Sequence, residues 1–310
     1  MVKFIDLFSG IGGFRIALER LGCECVFSSE IDKYSRETYE ANFDGFVHGD
    51  ITEVDEKDIP SHDILVGGFP CQAFSIAGVS KNNSLGRAHG FEHEKGNLFF
   101  EILRILKSKK PQAFLLENVS NLLHHDKGRT WQIMQDYFIQ LGYSLHWKII
   151  DASLIVPQSR KRIYIVGLRD QSSFEFPNIE QVPTNLSEIL EDQVEEKYTL
   201  KKTWEALKNH QRRHEKRGNG FGYTVNERNV ERTRTLTARY HKDGSEILIK
   251  QDNKNPRRLT PRECSRLMGF PENFTIPDSV ADTRAYQQFG NSVVPGIVEE
   301  IAKKILEVIE

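Results

Sequence analysis

Short apolar runs that alternate with helix-length amphipathic stretches constrain this chain more than any other feature of it. Residues 2–7 form a first apolar run, residues 10–13 a glycine-rich turn, and residues 14–21 an amphipathic helical pattern. A second run at 25–29 and a second helical pattern at 32–42 repeat the arrangement, so the chain opens strand, helix, strand, helix. Further apolar runs at 64–66, 113–116 and 163–166 are separated by helical patterns at 98–106 and 130–141. Alternation of this kind predicts an α/β architecture, a mainly parallel sheet with helices on both faces. At 310 residues and 38% hydrophobic content the chain can bury a full core and still hold a second, smaller domain.

In such sheets the chemistry gathers at the C-terminal ends of the strands. The run at 64–66 continues into Gly67-Gly68-Phe69-Pro70-Cys71-Gln72. The glycine pair permits a sharp exit from the sheet and the proline stiffens the backbone beside the thiol, so Cys71 is expected to be presented. A cysteine without activating neighbours is nonetheless more often buried and inert. Glu117 ends the run that begins at Ala113, at the same expected edge. Gln158, Arg160 and Arg162 lead into 163–166, where a period of two puts them on one face. In the first turn, Phe8-Ser9-Gly10-Ile11-Gly12-Gly13 can offer backbone N–H groups to an anionic ligand end. Glu30 stands twenty residues beyond Gly10, where a carboxylate can accept from ribose hydroxyls. Asp50, in Gly49-Asp50-Ile51-Thr52 after a third possible strand, could accept from an adenine amino group. These three features in register favour an adenosine-containing cofactor.

The four cysteines, Cys23, Cys25, Cys71 and Cys264, form no CxxC pair and no ligand cluster with histidine. Neither a metal site nor a disulfide framework is predicted. No basic leader precedes the first strand and no run approaches a membrane span, so a soluble, cytoplasmic protein is expected. After Pro177 the character changes. Residues 197–258 carry 17 Lys and Arg against 7 Asp and Glu, in a chain whose net charge is only −2. That segment is a candidate polyanion contact, although a solvated basic face would look the same. Residues 233–240 and 246–250, joined across Lys242-Asp243-Gly244, read as a hairpin. Helical patterns return at 261–268 and 293–309.

FIDLFSGIGGFRIALE, EIDKYSRETYEANF, GDIT, GGFPCQAFSIAG, GNLFFEILRIL, LLENV, PQSRKRIYIVG and QFGNSVVP occur in this order along nearly the whole chain. In this the chain resembles the bacterial DNA cytosine-C5 methyltransferases. The resemblance implies a Rossmann-like S-adenosylmethionine-dependent methyltransferase fold carrying a smaller, mostly β or irregular target-recognition domain. The implied division is a catalytic domain at 1–189, a recognition domain at 190–289, and a segment at 290–310 that returns to the catalytic domain. It implies Cys71 as the nucleophile at cytosine C6, Glu117 as the group that bonds the N3 and amino edge, and Arg160 and Arg162 in the flipped-base pocket. S-adenosylmethionine, leaving as S-adenosylhomocysteine, would be held by Phe8, Gly10, Gly12, Gly13, Glu30, Asp50, Ile51, Pro70, Leu98, Asn291 and Ser292. Gln72, Ser75, Gln158, Thr235 and Arg239 would meet double-stranded DNA, with the 74–96 loop closing over the flipped base. The variable region resembles those of enzymes that read CCGG or CCNGG palindromes. A monomer is expected, with a cognate restriction endonuclease acting separately.

Three other readings stay open on sequence alone. An RNA cytosine methyltransferase could share the scaffold, although Gln72 after Pro70-Cys71 speaks against it. A nicotinamide dehydrogenase would explain the glycine turn and Glu30 but not Cys71, Glu117 or the arginines. A DNA-binding regulator could keep the fold without the activity.

Overall fold

The computed structural model describes residues 1–69, 98–170, 173–218 and 222–309. Six strands build the main sheet: β1 (Lys3–Leu7), β2 (Glu24–Ser29), β3 (Ile64–Gly68), β4 (Ala113–Val119), β5 (Tyr143–Asp151) and β6 (Lys161–Arg169). Their spatial order is β2-β1-β3-β4-β6-β5. The pairs β1/β2, β1/β3 and β3/β4 are parallel, and β6 runs antiparallel to both neighbours.

Side-chain alternation splits the sheet residues between two cores. Ile5, Leu7, Leu65, Phe114, Leu116, Ile163 and Ile165 face one layer, packed with Ile102 and Leu106 of α3 (Leu98–Lys109) and Met134 and Phe138 of α4 (Arg129–Gln140). Phe4, Ile64, Val66, Leu115, Tyr164 and Val166 face the other. There they meet Ala17 and Leu18 of α1 (Gly13–Arg20) and Ile297, Ile301 and Ile305 of α9 (Pro295–Ile309). The central strands are therefore apolar on both faces, as parallel strands between helix layers must be. α2 (Lys33–Glu40) follows β2, its first turn capped by the Asp32 side chain, which accepts from Ser35 N–H at 2.9 Å.

The remainder is mostly irregular. It contains α5 (Lys202–Glu215), α6 (Tyr240–Asp243), α7 (Pro261–Leu267), α8 (Asp282–Asn291) and a pair of two-residue parallel strands, β7 (Val225–Asn226) and β8 (Leu248–Ile249). The hairpin expected over 233–250 does not form. Backbone bonds from Lys242 N–H to Arg239 O and from Gly244 N–H to Tyr240 O wind the segment into the short helix α6, and the fully buried Tyr240 pins it by donating its hydroxyl to Ile247 O at 2.6 Å and accepting from Leu259 N–H at 2.8 Å. Nor is there a strand before Gly49. His48 makes one isolated bridge to Ser29, and residues 51–53 form a 3-10 turn capped by Asp50.

A buried ion pair anchors this second part. Arg257 donates two hydrogen bonds to Glu263, at 2.7 and 2.8 Å. The same carboxylate accepts from the Thr260 and Glu191 N–H groups. Breaking one side of such a pair strands the other charge in the interior. The Arg257→Met variant should therefore lose about 3–5 kcal/mol of stability in urea unfolding, whereas a loss below ~1 kcal/mol, the range of an exposed pair, would contradict its burial.

Candidate active site

A cleft of about 1020 Å³ opens along the C-terminal ends of β1, β3 and β4. Its first wall is the turn between β1 and α1. Phe8, Gly10 and Gly12 all have positive φ, 54°, 54° and 84°. Gly10 N–H donates to Glu30 Oε2 at 2.9 Å, and Asp32 N–H donates to Glu30 Oε1 at 2.8 Å. Glu30 thus ties the first turn to the end of β2. Burial raises its pKa, and these two backbone bonds act in the opposite direction. Asp50 accepts from Thr52 N–H at 2.9 Å.

The opposite wall comes from the far end of the chain. A Cβ on Gly13 would lie 2.7 Å from Val293 Cγ2 and 2.9 Å from Ser292 Oγ. The absent side chain is what lets residues 291–293 close over the turn. Phe8, Gly10, Gly13, Glu30, Asp50, Ile51, Leu98, Asn291 and Ser292 all line this cleft. Gly12 does not. Its α-carbon faces the Phe43 ring, where a Cβ would come within 2.2 Å of Cε2. The sequence assigns no role to two further residues of the cleft. Ser9 Oγ and Gln288 Nε2 are buried, line the cleft, and have no protein partner. Both sit inside the ordered motifs, but only the folded chain shows that these buried polar atoms lack a protein partner.

At the floor of the cleft Glu117 pairs across the sheet with Gly68, the last residue of β3. Arg162 Nε lies 3.0 Å from Glu117 Oε1, and both side chains are largely buried. Burial raises the Glu117 pKa, while Arg162 and then Arg160 pull it down. Asn118, also without a role assigned from the sequence, donates its amide to Phe69 O at 2.8 Å and accepts from Val119 N–H at 2.8 Å. It fixes the main chain at the residue before Pro70. Pro70, Cys71, Gln72, Ser75 and the 74–96 loop lie outside the described residues. The other three cysteines are buried or half-buried. Burial pushes the Cys25 thiol up to about 12, and Cys264 well above the usual thiol range.

Of the expected DNA contacts, Gln158 is placed in the interior by the structure, and Thr235 is half-buried with its hydroxyl bonded to protein. Gln158 is fully buried. Its amide donates to Leu267 O at 2.9 Å and accepts from Leu236 N–H at 3.1 Å. Thr235 donates its hydroxyl to Ser159 O at 2.6 Å. Both side chains bind protein, because this stretch of chain is packed against the entry to β6. Arg239 is exposed. Arg160 is buried too, and its guanidinium is held by main-chain carbonyls; burial, and then the charge of Arg162, lower its pKa to about 9.

Because the charge of Arg162 opposes the effect of burial on Glu117, an Arg162→Met variant should titrate that carboxyl at higher pH than the wild type. The carboxyl carbon shift of labelled glutamate reads this directly. An unchanged or lower midpoint would mean that the ion pair does not hold the charge.

The profile of the family described as C-5 cytosine-specific DNA methylase matches residues 2–307. Type II methyltransferase M.DsaV of Dactylococcopsis salina is 51% identical over 315 residues, covering 100% of this chain and 87% of that protein. Type II methyltransferase M1.ScrFI of Lactococcus lactis subsp. cremoris is 52% identical over 316 residues, covering 99% and 79%. The solved structure of the Entamoeba histolytica methyltransferase EhMeth superposes with a TM-score of 0.79 at 22% identity, covering 100% of this chain and 99% of that one. No helix among the described residues is long and apolar enough to cross a membrane. The chain belongs to the C-5 cytosine-specific DNA methylase family and is a DNA (cytosine-5-)-methyltransferase.

Proposed function

We propose that the chain transfers a methyl group to C5 of a cytosine turned out of a short double-stranded DNA site, with Cys71 as the nucleophile. The observation that carries this is the buried Glu117–Arg162 pair at the sheet edge, across from Gly68, with Cys71 three residues further along the chain. Cytosine C5 is a weak nucleophile, and addition of a thiolate at C6 converts the ring to an enamine. Negative charge then builds toward N3, where Glu117 can donate a proton or a hydrogen bond. Burial raises its pKa, which favours that donation, while Arg162 acts in the opposite direction. Arg162 orients the carboxyl and limits its basicity.

S-adenosylmethionine, which the family implies, fits the cleft. Glu30 can accept from ribose hydroxyls and Asp50 from the adenine amino group, and both line the cleft. Bound there it supplies an electrophilic methyl. Phe8, Ile51 and Leu98 contribute the apolar part of the lining.

Residues 190–289 act in this reading as the target-recognition domain, with Arg239 and the basic stretch at the DNA and the segment 290–310 completing the catalytic domain. A base inside a duplex cannot offer its face to a thiol, so the cytosine must leave the stack, with the 74–96 loop assigned to close over the flipped base and Gln72 and Ser75 to the DNA beside it. The proposed site is CCGG- or CCNGG-like. The proposed role is modification beside a separate restriction endonuclease, as the Type II names of the relatives suggest.

A duplex carrying 5-fluorocytosine at the target should form a covalent adduct that survives denaturation, since fluorine cannot leave as a proton does. Cys71→Ser should abolish both adduct and methyl transfer while retaining DNA binding. Glu117→Gln should lower kcat by roughly 10²-fold or more, the range of acid–base assistance. Adduct formation by Cys71→Ser would refute the nucleophile assignment, and bisulfite reads scattered over unrelated contexts would refute the recognition site.

A further inference from the structure

Arg160 links, through one side chain, two parts of the chain whose backbones also touch. Its side chain is 2% exposed and its donors reach three main-chain carbonyls. Nη1 donates to Leu236 O at 2.8 Å, and Nη2 donates to Gly290 O at 3.0 Å and Ser292 O at 2.6 Å. Leu236 belongs to the basic second part of the chain. Gly290 and Ser292 form the rim of the cleft.

The surrounding contacts leave this joint little slack. Leu236 N–H is held by Gln158 Oε1, so both the donor and the acceptor of that residue are gripped by side chains entering β6. Two backbone bonds tie the same segment to that entry, Ser159 N–H donating to Thr233 O at 2.9 Å and Thr233 N–H to Pro157 O at 2.9 Å. A Cβ on Gly290 would fall 2.3 Å from Thr237 C and 2.4 Å from Ala238 N, so the two backbones lie in direct contact. Ala238 lines the cleft, and the exposed Arg239 is its neighbour in the chain. A planar guanidinium spreads its donors over separate nitrogens in a fixed fork, so it reaches carbonyls of both parts at once, a span that the single nitrogen of an ammonium does not reproduce.

We propose that Arg160 is a positioning residue that couples the two ligands: occupancy of the cleft at Asn291 and Ser292 fixes the guanidinium, and the guanidinium fixes Leu236 and the DNA-facing residues after it. The assignment rests on the reading of the cleft as the S-adenosylmethionine site and of residues 190–289 as the DNA-recognition domain. It replaces the flipped-base pocket role that the family resemblance implied for Arg160. Coupling of this kind is reciprocal, each ligand tightening the other by one factor.

The test measures affinity for a fluorescent duplex containing the sequence that the enzyme methylates, at fixed salt, with and without saturating S-adenosylhomocysteine. In the wild type the cofactor product should tighten DNA binding by on the order of tenfold. It should also slow hydrogen exchange at the Leu236 amide. In Arg160→Lys both ligands should still bind, with the ratio reduced to less than about twofold. An Arg160→Lys protein that weakens DNA binding equally with and without S-adenosylhomocysteine would reveal a merely structural role and overturn the proposal. So would a wild type that binds both ligands independently, or whose Leu236 amide ignores the cofactor product; these wild-type readouts can overturn the proposal even if the variant does not fold. Failure of S-adenosylhomocysteine to bind the wild type at all would instead remove the reading of the cleft on which the coupling stands.

Discussion

The contact between Gly13 and Val293 is the constraint on which the rest of this molecule depends. One residue begins the first helix and the other precedes the last, and their approach needs a position without a Cβ. Once they touch, α9 lies along α1 and its stripe of Ile297, Ile301 and Ile305 joins the sheet core. The two ends of the sequence thereby become opposite walls of one cleft.

The reversed strand β6 shows how topology supplies chemistry. Had β6 run parallel to β4, its C-terminal end would lie at the edge where the cleft opens. Running antiparallel, it brings its entry residues there instead, and Arg162 pairs with Val119 at the very end of β4. A basic stretch at the start of a strand thus reaches the carboxylate at the finish of its neighbour. Glu117 keeps its charge balance through that single reversal.

Much of the scaffold is legible from residue pattern, and the reasons differ where it is not. The strands at β1, β2, β3, β4 and β6 and the helices flanking them carry continuous apolar runs or clear helical stripes. β5 escapes such a reading because it is an edge strand whose Lys148 and exposed Trp147 and Ile149 blur the alternation. α5 escapes it because only Leu207 among its residues is buried, so no stripe exists to be read. The cleft residues of the first turn, Glu30 and Glu117 stand out because local geometry places them. Gln158 and Arg160 do not, since a period of two reports which face a side chain takes and says nothing of the distant carbonyl it finds there. The same limit hides Asn118, whose partner Phe69 lies 49 positions away.

Closing the cleft with the last part of the chain also sets an order of events during synthesis. The turn at Phe8–Gly13 leaves the ribosome well before its facing wall at 291–293. A growing chain can assemble β1 to β4 and their helices from local contacts, yet it has no two-walled cleft to fill. Contacts between residues as far apart as Gly13 and Val293 form late because the intervening chain must order first. The two-walled cleft is therefore completed only after the segment 291–293 has packed against the first turn.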